Sequence, residues 1–433
     1  MTLNDLFPKT ARFGADGLIT IAGVDLNLLA DTYGTPLYLY DASTINGSYS
    51  LLTELLKQNY SGKAQIAYAS KAYLSLKFAK KLARTDASID VVSLSELEIA
   101  LEAGFPPERI HLHGNNKSRE EIHSAIANRI GSIVIDSTDE LEFVEAICEG
   151  MQVRQKIWLR INPNIAVNTH KAVQTGHGAS KFGIEAANGE AEHVIRLALK
   201  SESLHLTGIH THLGSQIFHP AEFGQAVVAM LELGKTAGFH PDVVCPGGGW
   251  GVPYTIDDPF IDPNEWIATI SKAATDWCRT ENCPLPELVI EPGRFMVARS
   301  GVALYRVGST KQSQNGDWIA AVDGGMADNP RVALYGSKYE AMLVGDGSKR
   351  PVETMRLVGR FCESGDELIP AITMPRLQRG DLIAIPVSGA YQLSMASNYN
   401  LADRPCVLWV ENGAVEVLQR REHAARSDWW QGE

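Results

Sequence analysis

Between Ala64 and Arg294, short apolar runs alternate with longer stretches in which apolar residues recur three or four positions apart. The short runs are "AQIAYAS", "SIDVVSL", "RIHLHGN", "SIVIDS", "KIWLRIN", "LTGIHTHLG", "DVVCPGGG" and "ELVIEPGR". Each has the length and β-branched content of a buried strand. The stretches between them, such as "SELEIALEAGF" and "STDELEFVEAICEG", read as amphipathic helices. Ser93 and Ser137 precede two of these helices, each with an acid three residues on, which marks helix starts. Strict strand–helix alternation predicts parallel pairing, and eight such units in about 230 residues predict a (β/α)8 barrel. A doubly wound open sheet is the alternative with the same local pattern.

Beyond residue 300 the helical period disappears. "VALYRVGSTKQ", "WIAAVDGG", "MRLVGRFCESGDEL", "DLIAIPVSGAY" and "CVLWVENGAVEVLQ" are β-rich runs parted by Gly, Asp and Pro. Asn412-Gly413, inside "VENGAVEV", is the chain's best local hairpin signal. The opening segment "LITIAGVDLNLLADTYGTPLYLYD" starts β-rich as well and is expected to join this C-terminal sheet. The division expected is a barrel over 43–305, a β-sandwich or β-barrel-like domain from 1–42 and 306–422, and a polar tail over 423–433 containing Trp429 and Trp430.

Composition narrows the class. With 433 residues, 45% of them hydrophobic, the chain can bury a large core. A net charge of -12 argues against nucleic acid and anionic membrane surfaces, both of which select basic faces. No apolar run reaches the length of a membrane span, and the start "MTLNDLFPKTARFGADG" lacks the apolar core of a signal peptide. The six cysteines are scattered without a CxxC pair, so neither a disulfide framework nor a zinc site is expected and a reducing cytoplasm is the default.

In a barrel, chemistry sits at the C-terminal ends of the strands. Lys71 ends the first strand among residues too small to pair a charge (Ser70, Ala72), and Asp90 lies in the second. His210 and His212 end the sixth, and strand alternation puts them on one face. Two such histidines suit a metal, but no nearby carboxylate completes the set, so no metal is expected. Gly247, Gly248 and Gly249 end the seventh strand, where missing side chains let backbone N–H groups approach an anion; a plain tight turn would look the same. "EPGR" ends the eighth, setting Glu291 beside Arg294 as an ion pair or as functional groups. A lysine that forms a Schiff base, an acid for a pyridine nitrogen and a glycine–arginine phosphate cradle are the parts that pyridoxal 5′-phosphate requires.

The ordered set "YASKA", "DVVSLSELEIALEAG", "HGNNKS", "NTHKAVQTGHGASKFGI", "GIHTHLGSQI", "PGGGWG", "EPGR", "CESGD" and "SGAY" resembles the diaminopimelate decarboxylases, within the alanine-racemase-fold pyridoxal-dependent decarboxylases. The resemblance covers nearly the whole chain. It implies that Lys71 is the Schiff-base lysine, that His212 stacks on the cofactor ring and that Glu291 pairs with the pyridine nitrogen. Ser215, Gly247, Gly248, Gly249, Arg294 and Tyr391 would surround the phosphate, with Asp90 near Lys71. It further implies a homodimer whose sites are shared, with Cys362 and Glu363 of "FCESGD" crossing over and Cys362 a candidate proton donor. Arg331, Tyr335 and Glu363, with Arg294 and Tyr391, would bind the substrate, a small amino acid.

The implied reaction releases CO2 from the D-configured carbon of meso-2,6-diaminopimelate and leaves L-lysine. Two positions depart from the family pattern: Val332 stands where proline is common, and Tyr73 where asparagine is common, both expected near the substrate pocket. They leave open a same-fold decarboxylase for ornithine, lysine, arginine, carboxynorspermidine or a carrier-linked amino acid. An amino-acid racemase fits "CESGD" and "SGAY" less well, and a non-catalytic pyridoxal-binding protein has no need for intact Lys71, His212, Glu291 and Cys362.

Overall fold

A computed structural model describes residues 1–165 and 180–427. Most of the "NTHKAVQTGHGASKFGI" segment, together with Trp429 and Trp430, lies outside the described residues. The chain forms two compact units, one of Tyr49–Gly251 with Phe260–Gly293, the other of Met1–Ser48, Val252–Pro259 and Arg294–Glu433.

Strands β1 (Arg12–Phe13), β2 (Ile19–Ile21) and β3 (Val24–Asp25) make a small antiparallel sheet, and β4 (Leu37–Asp41) follows. The next unit contains β5 (Ala64–Ala69), β6 (Ser88–Val91), β7 (Ile110–Leu112), β8 (Ser132–Ile135), β9 (Gln155–Asn162), a short β10 (Ile184–Glu185), β11 (Leu204–His210), β12 (Val243–Gly247) and β13 (Glu287–Ile290). Each of the eight predicted runs overlaps one of these strands, β9 and β11 starting one and two residues before theirs. All neighbours are parallel, and β13 pairs with β5, closing the ring β5-β6-β7-β8-β9-β11-β12-β13; β10 adds beside the end of β9. The barrel, not the open sheet, is therefore the architecture.

Its interior packs Ala67, Val134, Trp158, Cys245 and Val289, contributed by five strands. Around it, helices start where the sequence marks them. The Ser93 hydroxyl accepts the Glu96 N–H and the Ser137 hydroxyl the Glu140 N–H, satisfying donors that open a helix. The acids then reach one residue further back than a capping box would place them: Glu96 accepts the N–H of Val92 and Glu140 that of Asp136.

In the other unit, β14 (Gly301–Gln312), β15 (Trp318–Val322), β16 (Met342–Val344), β17 (Val352–Val358), β18 (Glu367–Pro375), β19 (Leu382–Ile385), β20 (Cys406–Glu411) and β21 (Ala414–Gln419) form one sheet. The N-terminal β4 lies inside it, antiparallel to β14 and parallel to β20. The expectation that the first residues join the C-terminal sheet is met. β20 and β21 form the predicted hairpin, with Asn412 and Gly413 at φ of 50° and 81°, the left-handed pair that a type I′ turn demands. Leu37, Leu39, Val302, Leu304, Ala384 and Leu408 are core residues shared by its strands. No helix among the described residues is long and apolar enough to cross a membrane.

Candidate active site

The barrel unit gathers its chemistry at the carboxyl ends of the strands. β5 runs into a single turn, Ser70–Ala72, that carries an exposed Lys71 between a buried Ser70 and Ala72. Tyr73 turns away into the core: it is buried, its ring packs on Phe78, and its carbonyl accepts the Tyr68 hydroxyl at 2.7 Å. Extended backbone past the turn sends its large ring toward the first residues of the next helix.

Glu291, just past β13, is the hub. His210 Nε2 lies 3.0 Å and 3.1 Å from its two carboxylate oxygens, and the Cys245 thiol donates to Oε1 at 3.2 Å. His113 Nε2, after β7, stands 3.6 Å from the same Oε1 and 3.5 Å from Asp90 Oδ1. The missing carboxylate of the sequence reading is thus Glu291, far away in sequence and at the end of β13, two strands round the ring from β11. His113, His210 and Glu291 bring one potential ligand atom each within 4.8 Å.

Burial would raise the Glu291 carboxyl, but His210 and then His113 hold it well below its ordinary range. Asp90 goes the other way: burial, then the charge of Glu291, pushes it well above, against the pull of Lys71. The two carboxyls are thereby shifted in opposite directions, the arrangement that like charges in a low dielectric favour. Burial pushes His111 down to about 4 and His113 well below its ordinary value, with Glu291 pulling the other way in both.

His212 is held neutral by burial, followed by the positive charges of Lys71 and Arg160. The Gly248 N–H donates to its Nδ1 at 3.4 Å, which leaves the proton on Nε2. A Cβ at Gly247 would fall 2.5 Å from the Thr211 carbonyl oxygen, at Gly248 2.0 Å from that of Glu291, and at Gly249 2.0 Å from that of Gly214. The glycines are therefore required by close backbone packing of strand ends. Ile217 N–H to Gly249 O and Gly251 N–H to Ile217 O knit the next loop to this run and bring the half-buried Ser215 beside it.

The second unit holds a different cluster. Arg294 is buried, donates to the Tyr254 hydroxyl at 2.6 Å and lies over the Tyr391 ring at 4.6 Å. Each end of "EPGR" has a partner of its own: His210 for Glu291 and Tyr254 for Arg294. Arg331 is buried too, bonded to the Tyr339 hydroxyl at 2.6 Å and set over the Tyr254 ring at 4.9 Å. Tyr254 is held below its ordinary value by Arg294 and Arg331, although burial opposes them. Arg331 is thus no solvated surface charge. Tyr339 and Tyr254 are the tyrosines against Arg331; Tyr335 and Val332 are half-buried in the same short helix as Arg331. Tyr391 adopts φ of 65°, a strained position for an aromatic residue.

Cys362 and Glu363 are exposed at the tip of a loop wound around Asp366, whose carboxylate accepts the N–H groups of Met326 at 2.6 Å and Phe361 at 2.7 Å. The Cys362 N–H donates to Asn400 Oδ1 at 3.2 Å. His113, Cys245, Tyr254 and Tyr339 were missed from sequence. Alternation in "HLHGN" flags His113; no local pattern flags the two tyrosines, Tyr254 standing 40 residues before Arg294 and Tyr339 eight residues after Arg331.

These groups fit pyridoxal 5′-phosphate. Beside Lys71, the Ser70 hydroxyl and both Asp90 oxygens are buried without hydrogen-bond partners, and Glu291 is a buried carboxylate suited to a pyridinium N–H. Residues 48–298 match the family model "Pyridoxal-dependent decarboxylase, pyridoxal binding domain", so barrel and site are those of a pyridoxal-dependent decarboxylase. The diaminopimelate decarboxylase of Bacillus subtilis is 41% identical over 420 residues, 95% of either chain, and that of Bacillus methanolicus 40% over 429 residues, 97% of this chain and 98% of that one. The crystal structure of the M. jannaschii diaminopimelate decarboxylase in complex with L-lysine superposes with a TM-score of 0.91 at 30% identity, covering 97% of this chain and 98% of that one. The chain belongs to the diaminopimelate decarboxylase family. It is a carboxy-lyase, and its cofactor is pyridoxal 5′-phosphate.

Proposed function

We propose that this enzyme removes CO2 from the D-configured carbon of meso-2,6-diaminopimelate and releases L-lysine. Beyond the family relationship, the buried Arg331 carries this reading. A diamine-forming decarboxylase has no distal carboxylate to bind, whereas diaminopimelate presents one that suits a planar guanidinium. Tyr254 and Tyr339 hold that guanidinium by ring contact and hydroxyl.

Bound at this site, pyridoxal 5′-phosphate supplies an aldehyde for an amine and a protonated ring that accepts the electron pair left when CO2 departs. Lys71 supplies the amine that holds the cofactor and is one candidate to return a proton to the α-carbon. Glu291, ionised by its histidine neighbours, keeps the proton on the ring nitrogen. His212, neutral and fixed by the Gly248 N–H, would face the ring without adding a second positive charge. The glycine run, Ser215, Arg294 and Tyr391 serve the phosphate; Arg294 and Tyr391 also contact the substrate.

In the same reading the active form is a homodimer, with Cys362 and Glu363 of one subunit completing the site of the other. Their exposure on a loop braced by Asp366 supports that role. Glu363 would meet the distal ammonium and Tyr335 the distal end of the substrate, while Cys362 is the second candidate proton donor.

CO2 release from meso-diaminopimelate, L-lysine, L-ornithine and L-arginine tests the assignment. Turnover is expected for the first alone, and Arg331→Gln should cut it at least a hundredfold while cofactor absorbance stays unchanged. Equal turnover of L-lysine or L-ornithine would overturn the substrate assignment.

A further inference from the structure

Histidines buried in a barrel usually satisfy both ring nitrogens. His113 does not: its Nε2 is buried with no hydrogen-bond partner, yet faces two carboxyls, Asp90 at 3.5 Å and Glu291 at 3.6 Å. Its place is set from both sides. The backbone N–H donates to the Val91 carbonyl at 2.8 Å, and the ring meets His210 edge-on with centroids 5.0 Å apart. Both separations to the carboxyls exceed a hydrogen bond, a looseness common in catalytic sites without their ligand.

The donors around Glu291 are unevenly shared. Cys245 and His113 converge on Oε1, and His210 lies near both oxygens. Oε1 is therefore the anchored oxygen, while Oε2 keeps lone-pair capacity for a further N–H. We infer that His113 is a positioning residue: it bridges Asp90 to Glu291 Oε1, fixing the carboxylate so that Oε2 faces the cofactor's ring nitrogen. Without it, Glu291 is braced by His210 and Cys245 alone and can turn about its last torsion. This inference rests on the reading of Glu291 as the acid at that nitrogen.

The test separates the two. The full chain, stripped of cofactor, is reloaded with pyridoxal 5′-phosphate or with its 1-deaza analogue, which has carbon in place of the ring nitrogen. The ratio of the two dissociation constants isolates what the nitrogen contributes, since every other contact is shared. Wild type should favour the natural cofactor, and Glu291→Gln should abolish that preference. His113→Phe should weaken it about tenfold, the worth of one hydrogen bond to a charged group, with little change in analogue binding. His113→Gln, which retains an N–H donor, should recover most of the preference and decides the matter if the Phe variant does not fold. A wild-type preference in both His113 variants, with the Glu291→Gln preference abolished, overturns the role of His113 and leaves that of Glu291 standing. A preference that survives Glu291→Gln overturns both.

Discussion

Two lysines follow barrel strands, and their surroundings assign them opposite duties. Lys117 is buried, with Nζ bonded to the carbonyls of Gly114 and Val134 at 2.6 Å each and to Glu140 at 2.9 Å. Lys71 is exposed on a turn of small residues. Lys117→Ala strands a buried carboxylate and should cost about 3–5 kcal/mol in urea denaturation. Lys71→Ala should leave the urea midpoint of the cofactor-free protein within about 0.5 kcal/mol of wild type, yet abolish both the yellow absorbance and turnover. Comparable denaturation curves for the two variants would contradict the division. Both lysines are plain in the sequence; their partners are not. Small neighbours mark Lys71 because they act within a few residues. Glu140 and Glu291 meet Lys117 and His210, 23 and 81 residues away, only through folding of the barrel, which no local period reports.

Elements were more readable than contacts. Each predicted barrel strand exists because a buried parallel strand must be a continuous apolar run, and that is visible locally. The hairpin at Asn412-Gly413 was visible for the same reason, since its turn chemistry is confined to two residues. The glycine run after β12 was visible as a motif but ambiguous in meaning, because the backbones it must avoid belong to Thr211, Gly214 and Glu291. The two kinds of glycine should respond differently. Gly413→Ala meets no atom within 4 Å but is held at positive φ, so it should cost about 1–2 kcal/mol of stability and spare cofactor binding. Gly248→Ala forces a Cβ against the Glu291 carbonyl and should weaken cofactor affinity at least tenfold. Retained affinity in Gly248→Ala, read by absorbance titration, would mean that the strand ends can part without harm.

At the scale of the whole molecule, the proposal that a homodimer shares its sites has a consequence that a mixing experiment reads directly. Lys71→Ala and Cys362→Ala homodimers should each be nearly inactive. Dissociated and reassociated together in equal amounts, they should regain about a quarter of wild-type activity, because hybrid dimers contain one intact site. No recovery, with hybrids present by mass spectrometry, would confine each active site to one subunit.

The position of β4 bears on how the protein is made. Its partners β14 and β20 lie hundreds of residues later, with the entire barrel encoded in between. At bacterial synthesis rates of roughly 5–20 residues per second, about 10–50 s separate emergence of Asp41 from that of Gly301. During that interval Leu37–Asp41, every residue of which ends up buried, has no sheet to enter. The nascent chain must keep an apolar strand unpaired until its own C-terminal third arrives.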